Sequence, residues 1–210
     1  MKTSKNFEPL VFLFSAPSGA GKSTLVEELM ASVPGLRRVV TCTTRAPRTD
    51  EQDGVAYHFL DREEFDAGIE RGDFIEWNEI YGDRYGTSRK VFEEAREAAK
   101  RGDEDLVLNI DVDGKANFLK DYGKAVTIFI MPPSVEELGN RLEGRGSENA
   151  DDAARRLERA KEEIARADGY DYTVVNDSVG LAVDRLRQIV AAERARRDSA
   201  LGIDNSSHSR

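Results

Sequence analysis

A glycine-rich segment near the N-terminus ends in a lysine and two hydroxyl residues. The run SAPSGAGKST at residues 15–24 nearly matches the pattern GxxxxGK followed by serine or threonine, with Ala16 in the place of the first glycine. Glycines let backbone N–H groups turn inward around phosphate oxygens, and the dipole of the following helix adds positive potential. We therefore predict that a nucleoside triphosphate is bound by Ala16, Pro17, Ser18, Gly19, Ala20, Gly21, Lys22, Ser23 and Thr24.

The lysine and the serine of this loop have separate predicted roles. Lys22 is placed to reach the β and γ phosphates, and the Ser23 hydroxyl to coordinate Mg²⁺, because a hard cation prefers oxygen ligands. The alternative is a glycine turn with a solvated lysine, which the buried strand before it and the amphipathic helix after it disfavour. The loop alone indicates a nucleoside triphosphate and Mg²⁺, but not which reaction.

A second basic cluster follows in a loop rich in charge and turn formers. Arg45 and Arg48 flank a proline, and their guanidinium forks fit one phosphate better than lysines would. For an isolated pair of this kind, a solvated charged loop is the commoner arrangement. The prediction of a second phosphate site therefore depends on the loop at residues 15–24.

The elements that must position these residues alternate between strands and helices. Residues 10–14 are continuously apolar, which predicts a strand buried on both faces. An apolar residue recurs every four positions from Leu25, and this helical pattern stops at Pro34. Later strands are predicted at 39–44, 106–110, 126–131 and 173–175. This alternation predicts an α/β three-layer fold of the P-loop NTPase type, with a mostly parallel central sheet that binds ligands at the carboxyl ends of its strands.

Shorter elements between residues 39 and 88 indicate an inserted small subdomain. Short strands are predicted at 57–60 and 74–77, with a helix ending near Gly72 between them and a loop at 81–86. The remaining helices are predicted at 88–100, 151–167 and 181–192. The tail at 201–210 is polar and is expected to fray.

Composition restricts the class of protein. At 210 residues, one main domain is expected. The net charge of −9 argues against nucleic acid as a partner, and the single cysteine, Cys42, argues against a disulfide or a zinc cluster. No apolar run approaches the ~20 residues of a membrane-spanning helix. We therefore predict a cytoplasmic protein without a membrane partner, and both a monomer and a homo-oligomer remain open.

Several ordered motifs resemble those of guanylate kinases, enzymes that transfer phosphate from ATP to GMP. The resemblance runs from about residue 11 to about residue 187. It implies a single domain at 8–200, a mixed GMP-binding subdomain, a helical lid, Mg²⁺ with ATP as co-substrate, and GMP or dGMP as acceptor. The motifs are TCTTRAPR at 41–48, FIEW at 74–77, YGT at 85–87, IDVDG at 110–114, PPSVEEL at 132–138, RLEGRG at 141–146 and VND at 175–177.

The resemblance also implies where GMP binds. Its phosphate is bound by Arg45 and Arg48 with the hydroxyls of two tyrosines. Glu76 reads guanine, because a carboxylate accepts the N1–H and the exocyclic amine together. Thr41 and Thr87 occupy positions where the family usually has small hydroxyl residues that bond the base. The full predicted GMP set is Thr41, Arg45, Arg48, Tyr57, Glu76, Tyr85, Thr87, Asn109 and Asp111.

Catalysis by such a site requires positioning and charge neutralisation rather than a strong base. The acceptor oxygen is already anionic, so in-line placement suffices. The resemblance implies a lid at about 141–167 that excludes water when it closes, whereas Arg155 and Arg159 are predicted to form surface ion pairs. The predicted catalytic residues are Lys22, Arg45 and two lid arginines, Arg145 and Arg156.

Two positions near the end of the strand at 106–110 depart from the family pattern. Asp111 is in the place of a carboxylate that accepts a hydrogen bond from magnesium-bound water. Two residues earlier, where guanylate kinases usually carry aspartate, this chain has Asn109, and Asp113 replaces the usual glutamine. Asn109 can form hydrogen bonds but brings no charge, so we predict that activity survives through Asp111.

Two other functions compete with this interpretation. A noncatalytic guanylate-kinase-like domain would bind protein ligands in the GMP cleft, but such domains usually lose phosphate-loop residues, which are intact here. A P-loop kinase for AMP or UMP is disfavoured by Glu76, because adenine N1 is an acceptor and would face a carboxylate without a proton between them. The predicted core comprises 8–40, 88–140 and 168–200, and the GMP-binding subdomain comprises about 41–87.

Overall fold

A computed structural model of the chain describes residues 7–143 and 150–201. Within these residues the strands form two sheets. The strands are β1 (Val11–Ser15), β2 (Leu36–Arg38), β3 (Cys42–Thr43), β4 (His58–Phe59), β5 (Phe74–Ile80), β6 (Asp83–Ser88), β7 (Asp105–Asn109), β8 (Val126–Met131) and β9 (Tyr172–Val175). The helices are α1 (Lys22–Ser32), α2 (Arg62–Arg71), α3 (Arg89–Gly102), α4 (Gly114–Tyr122), α5 (Val135–Glu143), α6 (Ala150–Ile164) and α7 (Val179–Ala200), with a 3₁₀ turn at Ala167–Gly169.

The larger sheet is parallel and central. Its order is β2-β7-β1-β8-β9, with every neighbouring pair parallel. Alternate side chains of β1 face opposite layers: Phe12 and Phe14 pack with α1 and α7, whereas Leu13 packs with Phe92 of α3 and Phe118 of α4. Because both faces are covered, the central strands β1, β7 and β8 are mostly apolar. This confirms the predicted three-layer α/β fold.

The smaller sheet is mixed, as predicted. Its order is β4-β3-β6-β5, with β3 and β4 parallel and the other neighbouring pairs antiparallel. Residues 42 and 43 of β3 lie only a few positions after β2 of the larger sheet. The predicted single strand at 39–44 is therefore wrong: the chain leaves one sheet after Arg38 and enters the other at Cys42.

The predicted loop at 81–86 is also wrong. Strand β5 continues to Ile80 and β6 begins at Asp83, so only Tyr81 and Gly82 form the turn. Both have positive φ, 53° and 87°, as two-residue hairpin turns of the primed types require. A tyrosine is a rare choice for such a position, which is why the sequence pattern did not reveal the hairpin.

The last helix extends two turns beyond the predicted end at residue 192. Its final turns are polar, and they are anchored by the Asp105 carboxylate, which is 1% exposed. Arg194 Nε lies 2.7 Å from Asp105 Oδ2, and Arg197 donates to Oδ1 at 2.6 Å. The backbone N–H of Leu10 donates to the same carboxylate. The first turns of α7 pack on the sheet through Ala182, Val183, Leu186 and Val190, whereas charge pairing with Asp105 holds its last turns. None of the helices in the described residues is long and apolar enough to cross a membrane.

Candidate active site

The phosphate loop connects β1 to α1 and has the backbone shape that its sequence predicts. Gly19 and Gly21 have φ values of 89° and 87°, a region that side chains other than glycine rarely adopt. A Cβ on Gly21 would lie 2.5 Å from Nδ2 of Asn176, which donates to the carbonyl of Ala20 at 2.7 Å. Ala16 is not among the positive-φ residues, and it packs against the apolar core. Its methyl group is therefore compatible with the loop.

Lys22 begins α1 and points across the carboxyl end of the parallel sheet. Its Nζ donates to the carbonyl of Ile110 at 3.0 Å. Burial lowers the pKa of Lys22 to about 8, although the carboxylates of Asp111, Glu163 and Glu76 act in the opposite direction. The lysine is thus a largely desolvated cation that phosphate oxygens would stabilise.

On the opposite side of the cleft, the Arg45 guanidinium is bound by the carboxylate of Glu51. One of its terminal nitrogens lies 2.8 Å from both oxygens of Glu51. The backbone N–H of Arg48 donates to the same carboxylate at 2.9 Å. The Arg45 guanidinium also lies over the rings of Tyr57 and Phe59. This loop is therefore already shaped to bind an anion with planar oxygens.

Glu76 is buried beside the cleft because β5 carries a bulge. The register with β6 shifts between Phe74 and Glu76, so that Ile75 packs into the core while Glu76 is also 3% exposed. Bulges of this kind redirect side chains next to functional sites. The hydroxyl of Thr87 donates to Glu76 Oε1 at 2.6 Å. Burial raises the pKa of Glu76 to about 7, which the Thr87 bond opposes and the Asp111 charge reinforces.

Asp111 lies immediately beyond β7, where its carboxylate accepts two neutral N–H groups. The donors are Asn78 on β5, at 3.0 Å and 3.3 Å from the two oxygens, and the backbone of Gly114, at 2.8 Å. Asn109 lines the cleft, and its Oδ1 is buried without a hydrogen-bond partner in the described residues. Asp111 is thus the better anchored of the two polar side chains.

The helix α6 covers the cleft and contacts both of its sides. Arg156 donates to the Ser18 hydroxyl of the phosphate loop at 2.8 Å. Both Arg156 and Arg159 lie over the ring of Tyr81, at the tip of the β5–β6 hairpin. The predicted lid therefore touches the phosphate loop and the smaller sheet. The other predicted lid arginine, Arg145, is outside the described residues.

Arg159 was predicted to form a surface ion pair, and it does pair, but in the wall of the cleft. It lies 3.1 Å from Asp113 and 3.0 Å from Glu163. Arg166 also pairs with Asp113. Asp113, at the position where the family usually has glutamine, thus pairs with two arginines in this protein. Burial raises the pKa of Glu163, which Arg159 opposes.

Most of the predicted residues line one cleft of about 710 Å³. Thr87 lies behind Glu76 instead and is fully buried. Arg155 lines the cleft too, rather than only the helix surface. Sequence reasoning missed Asn78, Ile80 and Glu163, for which the period of two from Glu76 and of three to four along α6 is the available signal. It also missed Tyr81 and Asp83 of the hairpin, which neither period marks.

The oxygen donors of the cleft suit a hard divalent cation. Ser23 is exposed at the start of α1, and Asp111 is partly exposed across the cleft. Hydroxyl and carboxylate oxygens are the ligands that Mg²⁺ prefers, together with phosphate and water. No group of three or more His, Cys, Asp or Glu side chains in the described residues could form a protein cage for a metal. The donor set therefore fits an ion held mainly by nucleotide phosphates.

The central parallel sheet and the loop that leads from its first strand into α1 define a P-loop kinase. A family model for guanylate kinase matches residues 8–193. The chain is 43% identical over 189 residues to the guanylate kinase of Geobacter metallireducens, covering 90% of this chain and 91% of that protein. It is 43% identical over 187 residues to that of Symbiobacterium thermophilum, covering 89% and 87%.

A solved structure agrees with these relatives. The crystal structure of guanylate kinase from Anaplasma phagocytophilum matches with a TM-score of 0.69 at 33% identity, covering 90% of this chain and 87% of that one. The chain belongs to the guanylate kinase family. The resemblance seen in the sequence motifs is confirmed.

Proposed function

We propose that this cleft performs the reaction of the family, phosphorylation of GMP by ATP, with the phosphate loop on the ATP side and the smaller sheet on the GMP side. Guanylate kinases phosphorylate GMP using ATP, and this chain is a member. The observation that carries the residue assignment is the convergence on one cleft of Lys22, Arg45 and Glu76, which come from separate elements. Lys22 and Arg45 supply positive charge on the two phosphate sides, and Glu76 supplies a carboxylate for the base.

On the ATP side, the backbone N–H groups of residues 16–24 cradle the triphosphate, and Lys22 exchanges its Ile110 carbonyl partner for phosphate oxygens. When bound, Mg²⁺ neutralises charge that develops on the transferred group. Ser23 is the residue that would hold the ion, and Asp111 would orient one of its waters.

On the GMP side, the Arg45 guanidinium exchanges the Glu51 carboxylate for the acceptor phosphate, and Arg48, whose backbone N–H also holds Glu51, adds its own guanidinium. A bidentate carboxylate and a phosphate present similar oxygen geometry to a guanidinium, and both contacts with Glu51 are already formed. The hydroxyls of Tyr57 and Tyr85 complete this phosphate site. Their rings meet edge to face, with centroids 6.1 Å apart, which fixes the direction of both hydroxyls.

The base is selected by Glu76 in its ionised form. Its two oxygens accept the N1–H and the exocyclic amine of guanine. Thr41, Asn109 and Asp111 complete the surroundings of the base, and Thr87 holds Glu76 from behind. Adenine would present an acceptor to this carboxylate, which leaves a buried charge unpaired. The cost of that mismatch accounts for a preference for guanine nucleotides.

The lid supplies charge and excludes water. Arg156 already contacts the phosphate loop through Ser18, which supports its proposed role on the transferred phosphate when the lid closes. Arg145 is proposed as the second lid arginine. We also propose dGMP as a poorer acceptor, a cytoplasmic location, no nucleic-acid partner, and the division into core, GMP-binding subdomain and lid at the bounds given above.

The test is a coupled assay of ADP formation with ATP and Mg²⁺ that compares GMP, dGMP, AMP, UMP and CMP. We expect ADP with GMP and, more slowly, with dGMP. ADP formation with AMP or UMP would contradict the role of Glu76. If protein with an intact circular dichroism spectrum formed no ADP with any acceptor, the proposed kinase activity would be contradicted and a noncatalytic domain would be supported.

A further inference from the structure

Strand β5 carries a second polar side chain beside Glu76, which contacts the cleft residue Asp111. Asn78 is two positions further along the strand, so both side chains project from the same face. Its Nδ2 lies 3.0 Å from Oδ1 and 3.3 Å from Oδ2 of Asp111. The carboxylate beyond β7 is thus held by the strand that carries the guanine-reading glutamate.

The contact between β5 and the start of α4 is close on the backbone as well. A Cβ added at Gly114 would lie 2.5 Å from Glu76 Oε2 and 3.4 Å from Asn78 Nδ2. The backbone N–H of Gly114 donates to Asp111 at 2.8 Å. Glu76, Asn78 and Asp111 therefore form one packed group around a position where a side chain would not fit.

The donors to Asp111 orient the carboxylate without neutralising it. Amide N–H groups carry no net charge, and the ion pairs of the described residues do not include Asp111. Among the charged groups that act on Lys22, which also faces the nucleotide phosphates in the proposed function, Asp111 raises the pKa of the lysine most. An arginine in the place of Asn78 would hold the carboxylate equally well but would cancel its charge. An amide is the side chain that directs the carboxylate and leaves its charge available to ligands.

We propose that Asn78 is a positioning residue of this enzyme, which acts by fixing the direction of the Asp111 carboxylate relative to Glu76. The inference rests on the proposed function, because it takes Asp111 to face the nucleotides. Asn78 itself touches neither substrate. Its position on β5 means that seating of the base against Glu76 and orientation of Asp111 are set by one strand.

The test is a double-mutant cycle of the full chain with Asn78→Leu, Asp111→Asn and the double variant. Leucine matches asparagine closely in size but donates no hydrogen bond. We expect Asn78→Leu to lower kcat with GMP at least tenfold while the KM for ATP stays within twofold. In the Asp111→Asn background the same change should cost less than threefold, because the group through which Asn78 acts is gone. An equal loss in both backgrounds would overturn the proposal.

GMP affinity is measured on the same four proteins by calorimetry, without ATP or metal. We expect Asn78→Leu to raise the Kd of GMP at least threefold when Asp111 is present and to leave it within twofold when Asp111 is replaced. An unchanged Kd and an unchanged kcat in Asn78→Leu would also overturn the proposal. If the wild-type protein makes no ADP with any acceptor, the proposed function fails, and the calorimetric cycle still decides the role of Asn78.

Glu79→Gln is the matched control. Glu79 is the next residue of β5 and faces away from the cleft, where it pairs with Arg62 and Arg84. We expect its kcat and its Kd for GMP to remain within twofold of wild type. Circular dichroism and thermal unfolding of all variants verify that each is folded. If Glu79→Gln lowered kcat as much as Asn78→Leu does, the effect would be a general one on the strand, and the proposal would be contradicted.

Discussion

The two sides of the cleft are built in different ways. The ATP side is one contiguous segment, residues 15–24, between β1 and α1. The GMP side collects Thr41, Arg45, Glu76 and Asp111 from the smaller sheet and from the end of β7. A contiguous loop obtains its shape from local backbone preferences, whereas the GMP side needs two sheets to pack correctly. With the proposed assignment of the two sides, we expect substrate choice to depend on tertiary structure much more than phosphate binding does.

The partners of the charged groups differ as well. Lys22 is bonded to a backbone carbonyl, while Arg45 is bonded to a carboxylate and Glu76 to a hydroxyl. The cation of the phosphate loop itself, Lys22, thus forms no direct ion pair in the described residues, whereas Arg45 does. On the GMP side, the effect of each charged group is divided among several partners. Single substitutions should cost most on the ATP side.

The largest expected effect is that of Lys22→Ala. Removing the cation that faces the transferred phosphate should lower kcat/KM at least a thousandfold, or about 4 kcal/mol. Steady-state kinetics with ATP, Mg²⁺ and GMP measure the loss. Lys124→Ala, an exposed lysine far from the cleft, should keep full activity. A Lys22→Ala enzyme whose kcat/KM is within tenfold of the wild-type value would contradict the proposed binding of the ATP phosphates beside Lys22.

Glu76→Gln should have the next largest effect, and it should fall on base selection. Glutamine offers one acceptor oxygen and one NH₂ donor, so one of the two guanine N–H groups faces the amide N–H of glutamine instead of an acceptor. We expect kcat/KM for GMP to fall about a hundredfold, or about 2.7 kcal/mol, with a much smaller change in the KM for ATP. The ratio of GMP to AMP activity is the measurement. If kcat/KM fell equally with GMP and with AMP, the proposed recognition of guanine by Glu76 would be contradicted.

GMP binding should depend on pH through Glu76. Its pKa is raised to about 7 by burial, and binding requires the ionised form. As pH falls below 7 the carboxylate becomes protonated, so the affinity for GMP should fall by up to about tenfold per pH unit. Calorimetry from about pH 5.5 to about pH 8, a range that includes this pKa, measures the Kd of GMP as a function of pH.

The phosphate of GMP also titrates, with a second pKa near 6, so the Glu76→Gln variant is needed as the reference. In that variant only the part due to the nucleotide should remain. Identical profiles for wild type and Glu76→Gln would show that Glu76 does not titrate in this window.

The smallest expected effect is that of Ala16→Gly, which restores the usual first glycine of the loop. Ala16 has no positive φ and packs against the core, so activity should change less than threefold. The free energy of unfolding should fall by about 0.5–1 kcal/mol, because glycine gains more freedom in the unfolded chain. Chemical denaturation measures this loss. An activity gain of tenfold or more would mean that the methyl group hinders phosphate binding.

Several parts of the fold and site were predictable because their cause is local. The apolar runs of β1 and β8 predicted buried strands, and the glycines at 19 and 21 predicted the left-handed backbone that the loop adopts. The resemblance to guanylate kinases located Arg45, Glu76 and Asp111 in one cleft. The residues predicted to bind or catalyse stay predictions until kinetics are measured.

Other parts escaped because their cause is remote in the sequence. The chain leaves one sheet for the other between Arg38 and Cys42, although its β-branched run reads as a single strand. The bulge that buries both Ile75 and Glu76 depends on the partner strand β6. The last turns of α7 have no apolar stripe and are held by Asp105.

The sequence by itself determined the family, the phosphate loop and the order of strands and helices, since contiguous residues and hydrophobic periodicity carry that information. Only the tertiary structure decided that Asn78 holds Asp111, that Glu51 pairs with Arg45, and that arginines of α6 lie over Tyr81. These contacts join residues from different elements. Their formation depends on how two sheets and a helix pack, and no local pattern along the chain encodes that geometry.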